Sequence, residues 1–341
     1  METARRRVVI IGAGPAGAVC GYLLRKADVD CVMVDFATFP RDKICGGGLT
    51  PKAYELLQEL MPDLRYDYQG VRRFRLMMDG RTLCVVDLAK ELRMVRRKEF
   101  DYALLKQYQS VGGELIQDAF SRFEELPDGS LRVSLQSGAQ LECDYLVGAD
   151  GANSRVRRQL MGRYLGNTLW MEQYVTKGAN EFIFEFSRRY RKGYYYSFPN
   201  VDYDIVGMGG CYASPREVRA QLDQNKIRND AAVSASPLRG ANISVQTVTS
   251  GKHNVILIGD AGGFANKLTY EGLYYAIATG RNAGMAILEG TDFAVANREI
   301  FRKKKKEIYI TRFVYSRWGL GLMRLGAHCP KLIKKAFEMN Y

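Results

Sequence analysis

The stretch Val8-Val9-Ile10-Ile11-Gly12-Ala13-Gly14-Pro15-Ala16-Gly17, followed by Cys31-Val32-Met33-Val34-Asp35, decides the fold. It reads as a strand, a glycine turn, a helix start and a second strand that ends in a carboxylate. Each part has its own physical task. Gly12 permits the tight turn, Gly14 lets backbone N–H groups approach a pyrophosphate, and Gly17 allows the helix to pack closely on the strand. The first helical turn, which includes Ala16, offers unpaired N–H groups and a partial positive charge to phosphates. Asp35, about 20 residues on, stands where an acid can accept from a ribose hydroxyl. An ordinary βαβ turn also uses glycine, but strand, turn, helix and acid in this order point to a bound adenine dinucleotide.

Working outward, Phe39-Pro40-Arg41-Asp42-Lys43-Ile44-Cys45-Gly46-Gly47-Gly48-Leu49-Thr50 reads as a loop, and Pro51 opens a helix running to about 61. Apolar stretches at 71–78 and 81–88, split by Asp79-Gly80, predict a β-hairpin. A helix is expected at 98–111, with Phe100, Leu104, Leu105 and Tyr108 at helical spacing. Three strands follow, with turns at Asp128-Gly129 and Ser137-Gly138, the last ending in Gly148-Ala149-Asp150-Gly151. From about 165 to 250 the pattern is strand-rich and aromatic, with period-two alternation in Glu181–Phe186 and further strands at Tyr194–Phe198 and Asp204–Cys211. A βα pattern returns at Val255–Asp260 with a helix over 271–288, and helices fill the remainder.

The 341 residues, 47% hydrophobic, can bury a large core and suggest about two domains. No apolar run is long enough to span a bilayer, and the basic N-terminus leads straight into a strand, which predicts no secretory signal. The cysteines (20, 31, 45, 84, 143, 211, 329) contain no CxxC, an inventory of a reduced, cytoplasmic protein rather than a disulfide scaffold. With only His253 and His328, a histidine metal centre or a Ser–His–Asp triad lacks material, and no metal is expected. The net charge of +13 is compatible with an anionic membrane surface or a solvated basic face. The dispersed basic residues do not suggest nucleic acid.

Three separated segments carry a more specific signal: the glycine unit with Asp35, Leu146-Val147-Gly148-Ala149-Asp150-Gly151, and Val255-Ile256-Leu257-Ile258-Gly259-Asp260-Ala261-Gly262-Gly263. In this order they resemble the FAD-binding pattern of the para-hydroxybenzoate hydroxylase-like flavoproteins. Within that group, Lys43–Leu49, Gly193–Pro199 and Asn266–Ala276 resemble the geranylgeranyl reductase family. The resemblance covers roughly residues 6 to 290. It implies an α/β (α+β) fold: a Rossmann-like FAD-binding domain (1–70, 93–164 and 251–290), an inserted antiparallel β-sheet substrate domain (71–92 and 165–250), and a C-terminal helical tail (291–341).

The resemblance also implies roles. Asp260 would bond the ribityl chain, with Gly259, Gly262 and Gly263 close to the flavin. Gly272 and Leu273 would start a helix aimed at the pyrimidine edge, where reduced flavin is negative. Arg97 and Arg41 would reach the phosphate region. Asp150 and Gly151 would back the cofactor, with Arg157 adding charge. The loop with Cys45, Gly46 and Gly47 would lie beside the isoalloxazine, making Cys45 either a proton donor or a small filler under a glycine loop. Tyr194, Tyr196 and Phe198 share one strand face and are the substrate wall, together with Tyr270, or else a core that needs large rings. Tyr196 is a second proton-donor candidate.

Three positions depart from the family pattern, which usually has tryptophan at Tyr196, proline at Lys267 and glycine at Tyr270. They leave the isoprenoid substrate open. The expected activity is reduction of carbon–carbon double bonds in a hydrophobic, isoprenoid-type substrate by hydride from reduced flavin. The alternatives are a flavin monooxygenase acting on an aromatic or apolar substrate, and an electron-relay or accessory flavoprotein. The external reductant is NAD(P)H, a ferredoxin or a quinol, so an electron-donor protein is a further expected partner. After residue 300, basic residues flank apolar and aromatic ones, the pattern of a helix at a bilayer interface, which predicts a cytoplasmic protein with peripheral contact on the cytoplasmic face of a membrane.

Overall fold

The structure is a computed structural model that describes residues 4–162, 167–190, 192–210, 214–228, 236–248 and 252–338. Cys211, and the expected divisions at 164/165 and 250/251, lie outside the described residues. The chain opens with β1 (Ala4–Ile11), α1 (Pro15–Lys26) and β2 (Cys31–Asp35). A two-residue β3 (Gly48–Leu49) and α2 (Pro51–Leu60) lead to the hairpin β4 (Tyr68–Met78) and β5 (Arg81–Val95), then α3 (Arg97–Ser110). Strands β6 (Glu114–Gln117), β7 (Phe120–Glu125), β8 (Leu131–Leu135) and β9 (Gln140–Gly148) precede α4 (Arg155–Met161). The aromatic stretch supplies β10 (Asn167–Val175), β11 (Glu181–Phe186), β12 (Tyr194–Pro199) and β13 (Asp204–Gly210). Next come α5 (Pro215–Arg228), β14 (Arg239–Ser244) and β15 (Val255–Leu257). Five helices close the chain: α6 (Leu273–Glu289), α7 (Phe293–Ala296), α8 (Arg298–Val314), α9 (Arg317–Gly326) and α10 (Pro330–Glu338).

Two sheets carry the molecule. The first runs β6-β2-β1-β9-β8-β7, with β15 also on β9. Strands β6, β2, β1, β9 and β15 are parallel, and β7, β8 and β9 form an antiparallel meander. Buried apolar runs such as Val8–Ile11 and Cys31–Val34 suit a parallel sheet covered on both faces. The register aligns Ile11 with Val34 and with Gly148, and Gly148 with Leu257. Three glycine–acid corners therefore emerge at one edge, beyond the carboxyl ends of the strands. That is where open α/β sheets bind ligands, at the point where strand order reverses.

The second sheet runs β14-β10-β13-β12-β11-β4-β5-β3 and is antiparallel except for the β11–β4 pair. Period-two alternation sends Tyr194, Tyr196 and Phe198 into one buried cluster and Tyr195 into another on the opposite face. The hairpin strands extend further than their apolar cores suggest, to 68 and 95, because β5 also pairs with Gly48-Leu49. That pairing ties the Cys45 loop into the aromatic sheet. Helix α6 begins two residues later than expected, at Leu273.

Candidate functional site

The dinucleotide turn is built as its residues require. Gly12 adopts φ +109°, and a Cβ there would lie 2.4 Å from the Ala149 carbonyl oxygen, so no other residue fits between β1 and β9. Helix α1 starts on Gly14 with no side-chain cap, leaving its first N–H groups available, and Ala16 and Gly17 are buried in its first turn. The Asp35 carboxylate accepts from Ala13 N (2.8 Å) and Ala37 N (2.9 Å), which holds it against this turn.

Arg41 reaches the same place. Its Nη2 lies 3.5 Å from the position a Gly14 Cβ would occupy and pairs with Asp101 at 3.3 Å. Its Nη1 is buried with no hydrogen-bond partner among the described residues, a free donor beside the pyrophosphate turn. Asp101 was not foreseen. It is fully buried and also takes a two-pronged contact from Arg97 (2.7 and 2.8 Å). Arg97 is therefore turned to Asp101 and to the Cys45 thiol rather than standing as a free phosphate ligand. Burial opposes its charge, but Asp101 and Cys45 outweigh that and hold the guanidinium above its ordinary value.

Around Cys45 three elements meet. The thiol accepts from Gly47 N (3.4 Å), and a Cβ at Gly46 would strike the Phe198 ring at 2.6 Å. The loop thus rests directly on the aromatic face. Behind it lies Glu172 of β10, 2% exposed, a residue absent from the sequence reading. One carboxylate oxygen accepts from Cys45 N (2.9 Å) and the other from the Tyr196 hydroxyl (3.0 Å). Sheet register explains the meeting. Tyr196 and Glu172 both pair with Gly207 of β13, and a Cβ there would overlap the Tyr196 ring at 2.2 Å. Glycine lets the phenol lie across the strand to the acid. Burial raises the Glu172 carboxyl above its usual range, with Tyr196, Cys45 N, Arg239 and Arg97 pulling the other way. Burial and the neighbouring acid push the Tyr196 phenol well up. A cavity of about 210 Å³ opens beside Cys45, lined also by Lys43, Arg97, Tyr174, Asn200 and Ile205, while Glu172 and Tyr196 stay buried behind it.

The flavin-side corner comes from the loop after β15. Burial pushes Asp260 upward, with Lys43, Arg97, Arg157 and Lys304 offsetting it, which places these cations around the corner. Gly259 and Gly262 are buried in the turn, and Gly263 takes φ +70° behind it. Helix α6 starts on Gly272, again with no side-chain cap, and Leu273 is its buried first residue. Residues 266–272 are fastened from two sides. Glu271 accepts from Thr50 (2.6 Å) and pairs with Lys52 (3.0 Å), while Glu307 of α8 accepts from Asn266 and Lys267 N.

Arg157 and Asp150 are both held by protein groups at the corner. Arg157 is 1% exposed and donates to Ser244 and to the carbonyls of Ala152, Asp260 and Ala261, bracing two loops together. The Asp150 carboxylate caps α4 through Arg155 N and Val156 N, with Gly151 at φ +77° beside it. The aromatic wall is a packed layer. Phe182 stacks on Phe198 at 3.9 Å, Trp170 lies 4.6 Å from Tyr270, and Phe337 of α10 stacks on Phe74 at 4.3 Å. The Tyr194 hydroxyl donates to the Thr269 carbonyl.

Two glycine-started helices, the free Arg41 donor, and acids at the ends of β2 and β15 suit an adenine dinucleotide that carries a flavin. Among the described residues no His/Cys/Asp/Glu group is arranged to hold a metal.

The comparisons agree with this geometry. The model of the FAD binding domain family matches residues 5–176. Menaquinone reductase of Mycobacterium tuberculosis is 29% identical over 322 residues, covering 84% of this chain and 77% of that protein. The chloroplastic geranylgeranyl diphosphate reductase of Oryza sativa is 27% identical, covering 84% of this chain and 67% of its own length. Among solved structures, a probable FAD-dependent monooxygenase from Pseudomonas aeruginosa superposes with TM-score 0.76 at 18% identity, covering 95% of this chain and 99% of that one. A geranylgeranyl bacteriochlorophyll reductase-like protein from Thermoplasma acidophilum gives 0.73 at 17%, covering 98% and 91%. At these identities the structural matches establish the fold alone. The chain belongs to the FAD-binding domain family of oxidoreductases, and in sequence it is similar to members named for geranylgeranyl and menaquinone reduction.

Proposed function

We propose that this protein reduces a carbon–carbon double bond in a hydrophobic, isoprenoid-type substrate. The observation that carries the reading is the buried Glu172–Tyr196 pair behind Cys45. Saturating an alkene needs a hydride on one carbon and a proton on the other. FAD, when bound, supplies the hydride, and an external donor (NAD(P)H, a ferredoxin or a quinol) supplies the electrons. The proton is this chain's task. The Tyr196 hydroxyl, hydrogen-bonded to Glu172, delivers it, and the Glu172 carboxyl, whose hold on a proton is strengthened by burial, replaces it. Arg97 holds a positive charge beside the Cys45 thiol, so Cys45 shapes the same pocket.

The test is anaerobic turnover of reduced, FAD-loaded protein with geranylgeranyl diphosphate and with a menaquinone, in deuterated water. The expected product gains two hydrogens per reduced bond, both carrying solvent deuterium because the hydrogen held by reduced flavin also exchanges with water, and no oxygen. A product that gains oxygen, formed only in air, would establish the monooxygenase alternative instead.

A further inference from the structure

We infer that the outer face of the C-terminal helices α8–α10 is a docking surface for an anionic lipid bilayer. Seven of the twelve large apolar side chains exposed among the described residues fall within the 24 residues from Tyr309 to Leu332. On α8 they are Tyr309, Ile310 and Phe313. On α9 they are Trp318, Leu322 and Leu325, spaced four and three residues apart on one helical face. Leu332 continues the set on α10.

The opposite faces are already in use. Ile300, Lys304 and Glu307 of α8 are buried, and Met323, Ala327, Ile333 and Phe337 pack against the aromatic sheet. The tail is therefore seated on the protein by one side and presents the other.

Charge identifies the occupant. Between Arg298 and Glu338 stand twelve Lys and Arg against three Glu, so this segment carries +9 of the chain's +13. One of the three acids, Glu307, is buried and paired with Lys304. Arg302, Lys303, Lys305 and Lys306 are exposed one to three turns before the apolar group of α8, and Lys331 and Lys335 flank Leu332. An apolar, aromatic stripe rimmed by cations matches the boundary between acyl chains and anionic headgroups. Each basic residue near such a surface strengthens attraction about fivefold. A second copy of this chain would press two faces of the same sign together. No described helix is long and apolar enough to cross a membrane, so the surface lies on the bilayer.

Trp318 makes the test direct. The chain has two tryptophans, and Trp170 is buried whereas Trp318 is 81% exposed. FAD-loaded protein is mixed with vesicles of phosphatidylcholine alone, or with phosphatidylglycerol added, and followed by sedimentation and tryptophan emission. The expected result is pelleting with the anionic vesicles together with a blue shift of Trp318 emission. Both should fade as salt rises toward 1 M, where the Debye length falls to about 3 Å. The Leu322→Ser/Leu325→Ser double variant, altered only at exposed positions, should partition at least ~10-fold less. Lys303→Glu/Lys306→Glu should do the same at low salt. Three outcomes would overturn the inference: no pelleting with anionic vesicles at low salt, equal binding to neutral vesicles, or a lipid-free dimer in which Trp318 emission is already blue-shifted. None of these bears on the reductase reading, which stands on the opposite side of the tail.

Discussion

A carboxyl group with one oxygen on a backbone N–H and the other on a phenol, 2% exposed, keeps its proton longer than an ordinary glutamate. For Glu172 the sign follows from its raised value: at low pH both folded and unfolded chains hold the proton, and as pH rises the unfolded chain releases it first. Stability contributed at this position therefore falls with rising pH. Glu172→Gln should melt increasingly above the native protein as pH moves from 5 to 8. The same substitution should lower alkene reduction about 10²–10⁴-fold and flatten the alkaline limb of the pH–rate profile, while FAD affinity stays unchanged. Gly207→Ala should copy the loss by forcing Tyr196 away from Glu172. Arg41 acts at the other end of the site. Removing its free donor by Arg41→Ala should weaken FAD binding roughly ten- to hundredfold, as measured by flavin fluorescence quenching in apo-protein titrations. The two residues differ in legibility. Arg41 sits in a loop whose motif announces it. Glu172 gives only a faint sign: it has the same strand parity as Trp170, so an acid falls on an aromatic face, and nothing local says which hydroxyl it meets.

At the scale of elements, the run Arg302–Lys306 holds five consecutive cations, and a helix seated on the protein cannot send all five side chains outward. Lys304 falls in line with Ile300 and Glu307 and is 3% exposed. Its ammonium donates to the Ala265 carbonyl (2.6 Å) and to Glu307 (2.5 Å), which also receives the Tyr275 hydroxyl. Desolvation lowers the Lys304 value while Glu307 works to restore it. Breaking a buried pair by removing one partner costs about 3–5 kcal/mol, so Lys304→Met should show that loss in denaturant unfolding, whereas Lys305→Met should be near neutral. The loop that α8 supports contains Tyr270 at φ +54°, which explains why the family pattern has glycine there. Here the strained residue is retained by its hydroxyl on the Lys192 carbonyl (2.9 Å) and its ring against Trp170.

Over the whole molecule, the Rossmann-like sheet was legible because three glycine–acid corners each carry a local signature, and parallel strands with a helix between them have few ways to be arranged. The second sheet was legible as strands but not as an order. The parallel β11–β4 contact joins segments over 100 residues apart, and the two-residue β3 is too short to show any alternation. Pairings of that kind depend on packing, which no window of sequence contains. The cofactor is expected to stabilise the fold as a whole: FAD at a hundredfold excess over its dissociation constant adds about 2.7 kcal/mol. Stripping it should lower the melting temperature seen by calorimetry. Re-addition should restore it, with aromatic near-ultraviolet signals from the second sheet following the same transition.

The hook that Lys304 and Glu307 place under residues 265–267 also governs how far the chain can be shortened. Trimming from residue 316 onward would remove four of the seven oily outer side chains and the Phe337 roof but leave the underside of the flavin corner propped. Cutting eighteen residues earlier would knock that prop away, and such a fragment should come off a column without its yellow colour.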